Sequence, residues 1–326
     1  MFDIPVVLII FRRSSTLDRI ISRIREVAPT KIYILADEGR TPTEIDEAHK
    51  CRLHVESLID WDCELIKHYA DSNRGVYKNI GEGARWVFER EEMAIFLEDD
   101  NLPDVSFFRF AKEMLEKYKT QKNVMWICGT NYFTEYQSKE SYKFTKHLLP
   151  CGWASWSDKF LSYYDGEFVS FSDCARRINF NKSYYPRLLK YVQLQSIKNE
   201  LYRKKNGIRF ISWDYQMLWS VRSNDFFGIV PMKNLITNIG VDEFSVHGGS
   251  SKSNIMTDRF CEIPSKSLEF PLIHPLDVSI DKDFELSLGK IICPPFKSAI
   301  KSVFSSKLKH LLHYDTSLSW HSILRK

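Results

Sequence analysis

The apolar run Met93-Ala94-Ile95-Phe96-Leu97, followed at once by Glu98-Asp99-Asp100, constrains the fold more than any other part of this 326-residue chain. An unbroken apolar run is what a strand buried on both faces requires, and such strands belong to parallel sheets covered by helices. Carboxylates at its end put hard oxygen donors at the carboxyl edge of the sheet, where open α/β sheets bind ligands. Carboxylates crowded this closely repel one another unless a cation or hydrogen-bond donors offset the charge. A divalent metal holding a diphosphate would do so. A solvated acidic turn is the plain alternative.

Strand-like runs at 6–11, 31–36 and 94–97 alternate with helix-like runs. In 16–27, Ile20, Ile21 and Ile24 share a face; in 76–88, Ile80, Ala84 and Val87 do. This alternation predicts a parallel sheet with covering helices. After the acidic run, Asp104 marks a helix start, and Phe107, Phe108, Ala111, Met114, Leu115 and Tyr118 recur at helical spacing. Residues 124–129 read as a further strand. From about residue 130 the chain becomes aromatic and irregular, as binding segments often are. A second ordered region runs from Arg209 to about Gly249. With no repeat and no linker, residues 1–260 read as one domain, 261–295 as a Pro-containing connecting arm and 296–326 as a separate tail.

The formal charge of +4 belongs to that tail. From residue 290 onward there are seven Lys/Arg and one Asp, +6, which leaves −2 for the rest. A nucleic-acid footprint would run across the folded body, so nucleic acid is not an expected partner. In the tail, Phe296, Ile300, Val303, Phe304, Leu308, Leu311 and Leu312 fall on one helical face, with Lys297, Lys301, Lys307 and Lys309 off its centre. Such a helix suits an anionic membrane surface; packing on its own domain or on a homodimer partner is the alternative. No stretch of about 20 apolar residues is present. The first residues put the acid at position 3 and the basic pair after the apolar run, the reverse of a secretory signal. The seven Cys lack C-x-x-C spacing and read as reduced thiols of a cytosolic protein, not as a zinc site.

Seven segments, in order, resemble the GT-A glycosyltransferases. Within them the likeness is to N-acetylglucosaminyltransferase I and related bacterial enzymes of surface-polysaccharide assembly. The segments are VVLIIFRRSS (6–15), IYILADEG (32–39), HYADSNRGVYKNIGEGARWVF (68–88), AIFLEDDNLPDVSFFRF (94–110), LPCGWASW (149–156), WDYQM (213–217) and NIGVDEFSVHG (238–248). The resemblance implies a Rossmann-like mixed sheet flanked by helices, with the C-terminal helical appendage left uncovered. It implies an inverting, metal-dependent transfer of N-acetylglucosamine or another hexose from a UDP-sugar to a glycan. The implied acceptor is a lipid-linked oligosaccharide of bacterial lipopolysaccharide or capsule. The implied location is cytoplasmic, peripheral on the cytoplasmic face of the inner membrane where the tail binds lipid.

Site residues follow by the same resemblance. Arg13 meets the nucleotide's phosphate or base, although the adjacent Arg12 can take that contact. Asp37 accepts from the uracil N–H, and Arg74 and Gly75 approach the base or sugar. Glu98 faces a hydroxyl of the donor sugar, Asp99 the ribose, and Gly152-Trp153 the sugar's apolar face. Asp100 is the ligand of Mn²⁺ or Mg²⁺, with His247 near the diphosphate or metal. Asp214 is the general base. Each has a plain structural counterpart: Arg13 a surface charge, Asp37 and Gly75 turn residues, Trp153 a core side chain, Asp214 a helix N-cap, His247 a structural histidine. A sugar nucleotidyltransferase is a second enzyme class, disfavoured because 6–15 lacks a glycine-rich phosphate loop. A non-catalytic glycan-binding or scaffold protein is the third reading, and the triplet together with Asp214 stands against it.

Overall fold

The computed structural model describes residues 2–133, 136–182, 184–241 and 259–324. Four strands, Val6–Ile10 (β1), Lys31–Ala36 (β2), Glu64–Tyr69 (β3) and Met93–Glu98 (β4), lie side by side in the order β3-β2-β1-β4, all parallel. All five residues of β1 are buried, which is what VVLII demands. Between β1 and β2 runs Leu17–Val27 (α1), which buries Leu17, Ile20, Ile21 and Ile24 against the sheet. Its chain reverses at Ala28, a left-handed residue whose N–H returns to the carbonyls of Ile24 and Arg25. Between β2 and β3 runs Pro42–Leu58 (α2), started by Thr41, which accepts from the Glu44 N–H, with Pro42 in the first turn.

The path from β1 turns outward to β2 and β3, whereas β4 is added on the other side of β1. The carboxyl ends of β1 and β4 therefore lie side by side where the strand order reverses, the crevice at which open α/β sheets bind ligands. Registers of Ile10↔Ala36 and Ile9↔Glu98 keep those ends level.

The short strand Asn101–Pro103 (β5) leaves the sheet directly after the acidic run. Val124–Cys128 (β6), Tyr142–Thr145 (β7), Trp153–Trp156 (β8) and Phe227–Pro231 (β9) complete it as β4-β8-β6-β9-β7. β8 and β7 run against their neighbours, so the sheet of eight strands is mixed, as the family likeness implies, whereas the alternation predicts only its parallel half. Ile236–Asn238 (β10) pairs antiparallel with β5.

Helices cover both faces. On one, α1, α2 and Ser106–Lys117 (α4) pack on Val6, Leu8 and Ile10. On the other, Gly83–Phe88 (α3), Ser157–Tyr163 (α5) and Asp214–Ser223 (α8) pack on Val7, Ile9 and Leu35. The helix predicted over 76–88 is split: Tyr77–Glu82 is a π-helical turn that continues into α3. Gly81 sits there against Tyr164, whose hydroxyl would lie 2.5 Å from an added Cβ.

Cys174–Asn181 (α6) and Arg187–Lys205 (α7) form a satellite layer beside α8 around Trp219. The chain beyond residue 260 is built onto this body. Lys282–Ile292 (α9) enters through Glu285, which accepts from the Thr145 hydroxyl at 2.6 Å. Phe296–Leu311 (α10) lies on α7, with Tyr202 and His310 stacked at 4.3 Å and Arg203 paired with Asp315. Trp320–Leu324 (α11) closes the described chain. No helix among the described residues is long and apolar enough to cross a membrane. All seven cysteines are free thiols.

Candidate active site

The crevice between the ends of β1 and β4 holds the acidic run, and each of its carboxylates has a different setting. Asp99 is buried and fully engaged. Its Oδ1 accepts from Arg13 Nη1 at 2.6 Å and its Oδ2 from the Phe11 N–H at 3.0 Å. The Thr16 hydroxyl donates to its carbonyl. Asp99 thus clamps the loop after β1 to the end of β4. Burial nevertheless pushes its carboxyl up to about 6, against the pull of Arg13.

Asp100 meets the same guanidinium at longer range. Its Oδ2 lies 3.6 Å from Arg13 Nη1 and its Oδ1 accepts from the Asn101 side-chain amide at 2.5 Å. Gly240, after β10, lies against it: an added Cβ would come 2.6 Å from Asp100 Oδ2. The Ile239 N–H donates to the Asp100 carbonyl at 2.8 Å, so the segment after β10 passes directly over this carboxylate.

Glu98 is held well above the usual carboxylate range, first by burial and then by the negative charges of Asp100, Asp99 and Asp214. Arg13 is the cation that opposes them. This donor set fits a divalent cation: hard oxygens, crowded, with more negative charge than one guanidinium offsets. Among the described residues no three His, Cys, Asp or Glu side chains form a ready metal cluster. His247 lies outside the described residues.

Asp37, at the end of β2, gathers a second loop. Its Oδ1 accepts from the N–H groups of Glu38 and Arg74 at 2.9 and 2.7 Å. Its Oδ2 accepts from the Gly75 N–H at 2.9 Å and the Asn73 amide at 3.1 Å. Four bonds fill what a carboxylate can accept. The loop is thereby held with Gly75 at φ +80°, a left-handed geometry that favours glycine, and with open space where a side chain would be. The Arg74 guanidinium meets His68 Nε2 at 3.0 Å. Beside it a cavity of about 590 Å³ is lined by His68, Arg74, Tyr77, Arg85, Trp86 and Tyr164.

Asp214 is the first residue of α8 and half-buried. Its Oδ1 accepts from the Ser212 hydroxyl at 2.7 Å, and Ser212 Oγ in turn accepts from the Tyr215 N–H at 3.0 Å. Ser212 therefore does the capping, and the Asp214 carboxylate is not spent on the helix end. Behind it lies Glu200 of α7, 2% exposed, which accepts from the Ile211 N–H at 3.0 Å. Burial raises Glu200 to about 7.

Gly152 and Trp153 lie in the interior, away from the crevice surface. Trp153 is 1% exposed, between Phe96 at 3.9 Å and Trp126 at 4.4 Å, both rings nearly parallel to it. It presents no face to a sugar. Gly152, at φ +61°, fits under Ile236, whose Cγ1 would lie 2.5 Å from an added Cβ, and donates its N–H to Asn101 Oδ1.

The fold thus brings Arg13, Glu98, Asp99, Asp100 and Asp214 to one crevice, with the Asp37–Gly75 loop on its β2 side. Arg12 turns away to Glu44 and Glu47 on α2. The sequence reading missed Ser212, Thr16, Asn101 and Asn73. Of these Ser212 and Thr16 had a local signature, a hydroxyl at a helix start.

No protein-family model matches the chain, and no curated protein does either. Solved structures are similar at low identity. A UDP-glucose pyrophosphorylase complexed with UDP-glucose shares 10% identity over 73% of this chain and 94% of that chain, with a TM-score of 0.38. The mannosyltransferase PcManGT from Pyrobaculum calidifontis, in complex with GDP-Man and Mn2+, shares 11% over 67% and 68%, with a TM-score of 0.37. The 4-diphosphocytidyl-2C-methyl-D-erythritol synthase from Anaerococcus prevotii shares 10% over 51% and 77%, with a TM-score of 0.33. At these TM-scores the chemistry has to come from the residues themselves.

Proposed function

We propose that this chain is an inverting, metal-dependent glycosyltransferase that moves a hexose from a UDP-sugar to a glycan acceptor, with a lipid-linked oligosaccharide as the acceptor class. One observation supports it above the rest: Asp214, held by Ser212 and left out of the helix cap, acts electrostatically on Glu98 in the same crevice as Asp100. A base and an acidic donor-side cluster at one sheet edge are what sugar transfer with inversion needs.

In this scheme Asp100 would hold Mn²⁺ or Mg²⁺, and Glu98 would face a hydroxyl of the donor sugar. The ion would supply charge compensation for the departing diphosphate. Arg13 adds a fixed positive charge at the same edge. The Asn73–Gly75 loop, organised by Asp37, forms the wall for the nucleotide base and ribose. Asp214 takes the proton from the acceptor hydroxyl as that oxygen bonds to the anomeric carbon. The bond from that carbon to the diphosphate oxygen breaks, and its electron pair leaves with UDP. General base assistance of this kind contributes about 10²–10⁴-fold.

The test is a panel of nucleotide-sugars scored by thermal shift with Mn²⁺, followed by turnover of the stabilising donor. Selective stabilisation by one UDP-sugar and release of UDP support the proposal. Release of pyrophosphate from a nucleoside triphosphate and a sugar phosphate would replace it with nucleotidyl transfer. Glycan binding without turnover of any donor would replace it with a binding protein.

A further inference from the structure

α10 is moored to the body along one flank only. Ala299, Ser306 and Lys309 are its buried residues, and Ser306 accepts from the Asn199 amide of α7 at 3.4 Å. At roughly 100° per residue, Phe296, Ile300, Phe304 and Leu311 fall within about 80° of arc on a different flank. They are 67%, 49%, 68% and 75% exposed. Four large apolar side chains on one open strip are what a helix facing only water avoids.

The charge around the strip has one sign. Lys307 lies within it and Lys297 and Lys301 beside it, all exposed. α10 contains no Asp or Glu, and the one acid after Glu285 is Asp315, which is paired with Arg203. A second copy of the chain docking here by two-fold symmetry would bring lysines against lysines. An anionic lipid surface meets both demands: acyl chains take the apolar strip, and headgroups take the lysines, whose long stems reach outward.

We infer that the exposed strip of α10 docks this protein on an anionic lipid surface. The inference stands on α10 and α7 alone and does not depend on the chemistry proposed for the crevice. α7 also carries Glu200, which accepts from the N–H of Ile211, the residue immediately before Ser212-Trp213-Asp214. Docking would therefore fix the orientation of the Asp214 side of the crevice relative to the lipid.

The experiment is co-sedimentation of the full chain with phosphatidylcholine vesicles, with and without phosphatidylglycerol. Anionic vesicles should be bound roughly tenfold more tightly or better. The double variant Ile300→Ser, Phe304→Ser should lose vesicle binding. The triple variant Lys297→Gln, Lys301→Gln, Lys307→Gln should keep weak binding and lose the preference for phosphatidylglycerol. Both should keep the wild-type melting temperature, because all five side chains are exposed. Equal sedimentation with and without phosphatidylglycerol would overturn the inference. So would a concentration-dependent dimer, seen by sedimentation velocity and abolished by Ile300→Ser with Phe304→Ser, in a protein that ignores vesicles.

Discussion

The Ser212 hydroxyl lies 2.7 Å from Oδ1 of Asp214 and accepts the Tyr215 N–H, so one serine both starts α8 and holds a carboxylate at its tip. The two tasks can be separated by mutation. Asp214→Asn keeps an acceptor for the Ser212 hydroxyl but cannot take a proton. Transfer should fall about 10²–10⁴-fold with donor affinity and melting temperature nearly unchanged. Ser212→Ala removes the cap and should cost about 1 kcal/mol of stability. It should lower kcat less than Asp214→Asn does. Steady-state kinetics beside thermal melts check this; full transfer by Asp214→Asn at saturating substrates would remove Asp214 from the base role.

The Asp37 carboxylate predicts a loop-wide effect. It satisfies three backbone N–H groups, of Glu38, Arg74 and Gly75, as well as the Asn73 amide. Asp37→Ala leaves these donors without their acceptor. The cost should be about 2 kcal/mol or more, together with a weaker donor dissociation constant. Gly75→Ala meets no atom within 4 Å and should cost only the backbone term of about 1–2 kcal/mol. Urea titrations and calorimetric donor binding on the two variants would check the ranking. Equal donor affinity for wild type and Asp37→Ala would separate the loop from nucleotide binding.

How much of this was legible depended on where each residue's partners lie along the chain. β1 and β4 were legible because strands buried on both faces are written as unbroken apolar runs, and α1 and α4 because their buried residues repeat at helical spacing. β3 was missed: ELIKHY is an edge strand whose residues are all at least partly exposed, so no period stands out. α2 was missed because it buries only Ala48, Cys51 and Val55 in seventeen residues. Asp37 could be singled out from its place after a strand. That its partners are Asn73, Arg74 and Gly75, more than thirty-five positions on, is set by the pairing of β2 with β3. Gly152-Trp153 left two readings open, a pocket wall or a core pair. Their choice hangs on Phe96 and Trp126, from strands on either side of β8, and no local pattern reports such a stack.

Asp100 predicts a difference between apo and ligand-bound stability. In Asp100→Asn, lost repulsion from Glu98 and Asp99 opposes lost attraction to Arg13. The melting temperature without ligand should therefore change little, by the equivalent of about 1 kcal/mol or less. The additional stabilisation that Mn²⁺ gives in the presence of UDP should be lost. Undiminished Mn²⁺ stabilisation in Asp100→Asn would move the metal to other ligands.

His147 predicts an acid limit to stability that is separate from the crevice. It is 1% exposed. Its Nδ1 faces Arg222 Nη2 at 3.2 Å, and its Nε2 lies 3.1 Å from the Glu285 carbonyl. This arrangement suits the neutral ring, with Nε2–H donating to the carbonyl and Nδ1 accepting from the guanidinium. A proton on Nδ1 would point at Arg222. Burial, with Arg222 adding to it, accordingly lowers His147 from 6.5 to about 4, although Glu285 pulls the other way. The unfolded chain then takes up a proton near 6.5 that the folded chain refuses until about 4. The contribution is complete above pH 6.5 and is lost progressively as the pH falls toward 4. Its size is on the order of 3 kcal/mol at most. Urea midpoints across this interval should fall for the wild type and fall less steeply for His147→Gln, after correction for the carboxylates that titrate in both. Parallel curves for the two proteins would show that His147 is not the group responsible.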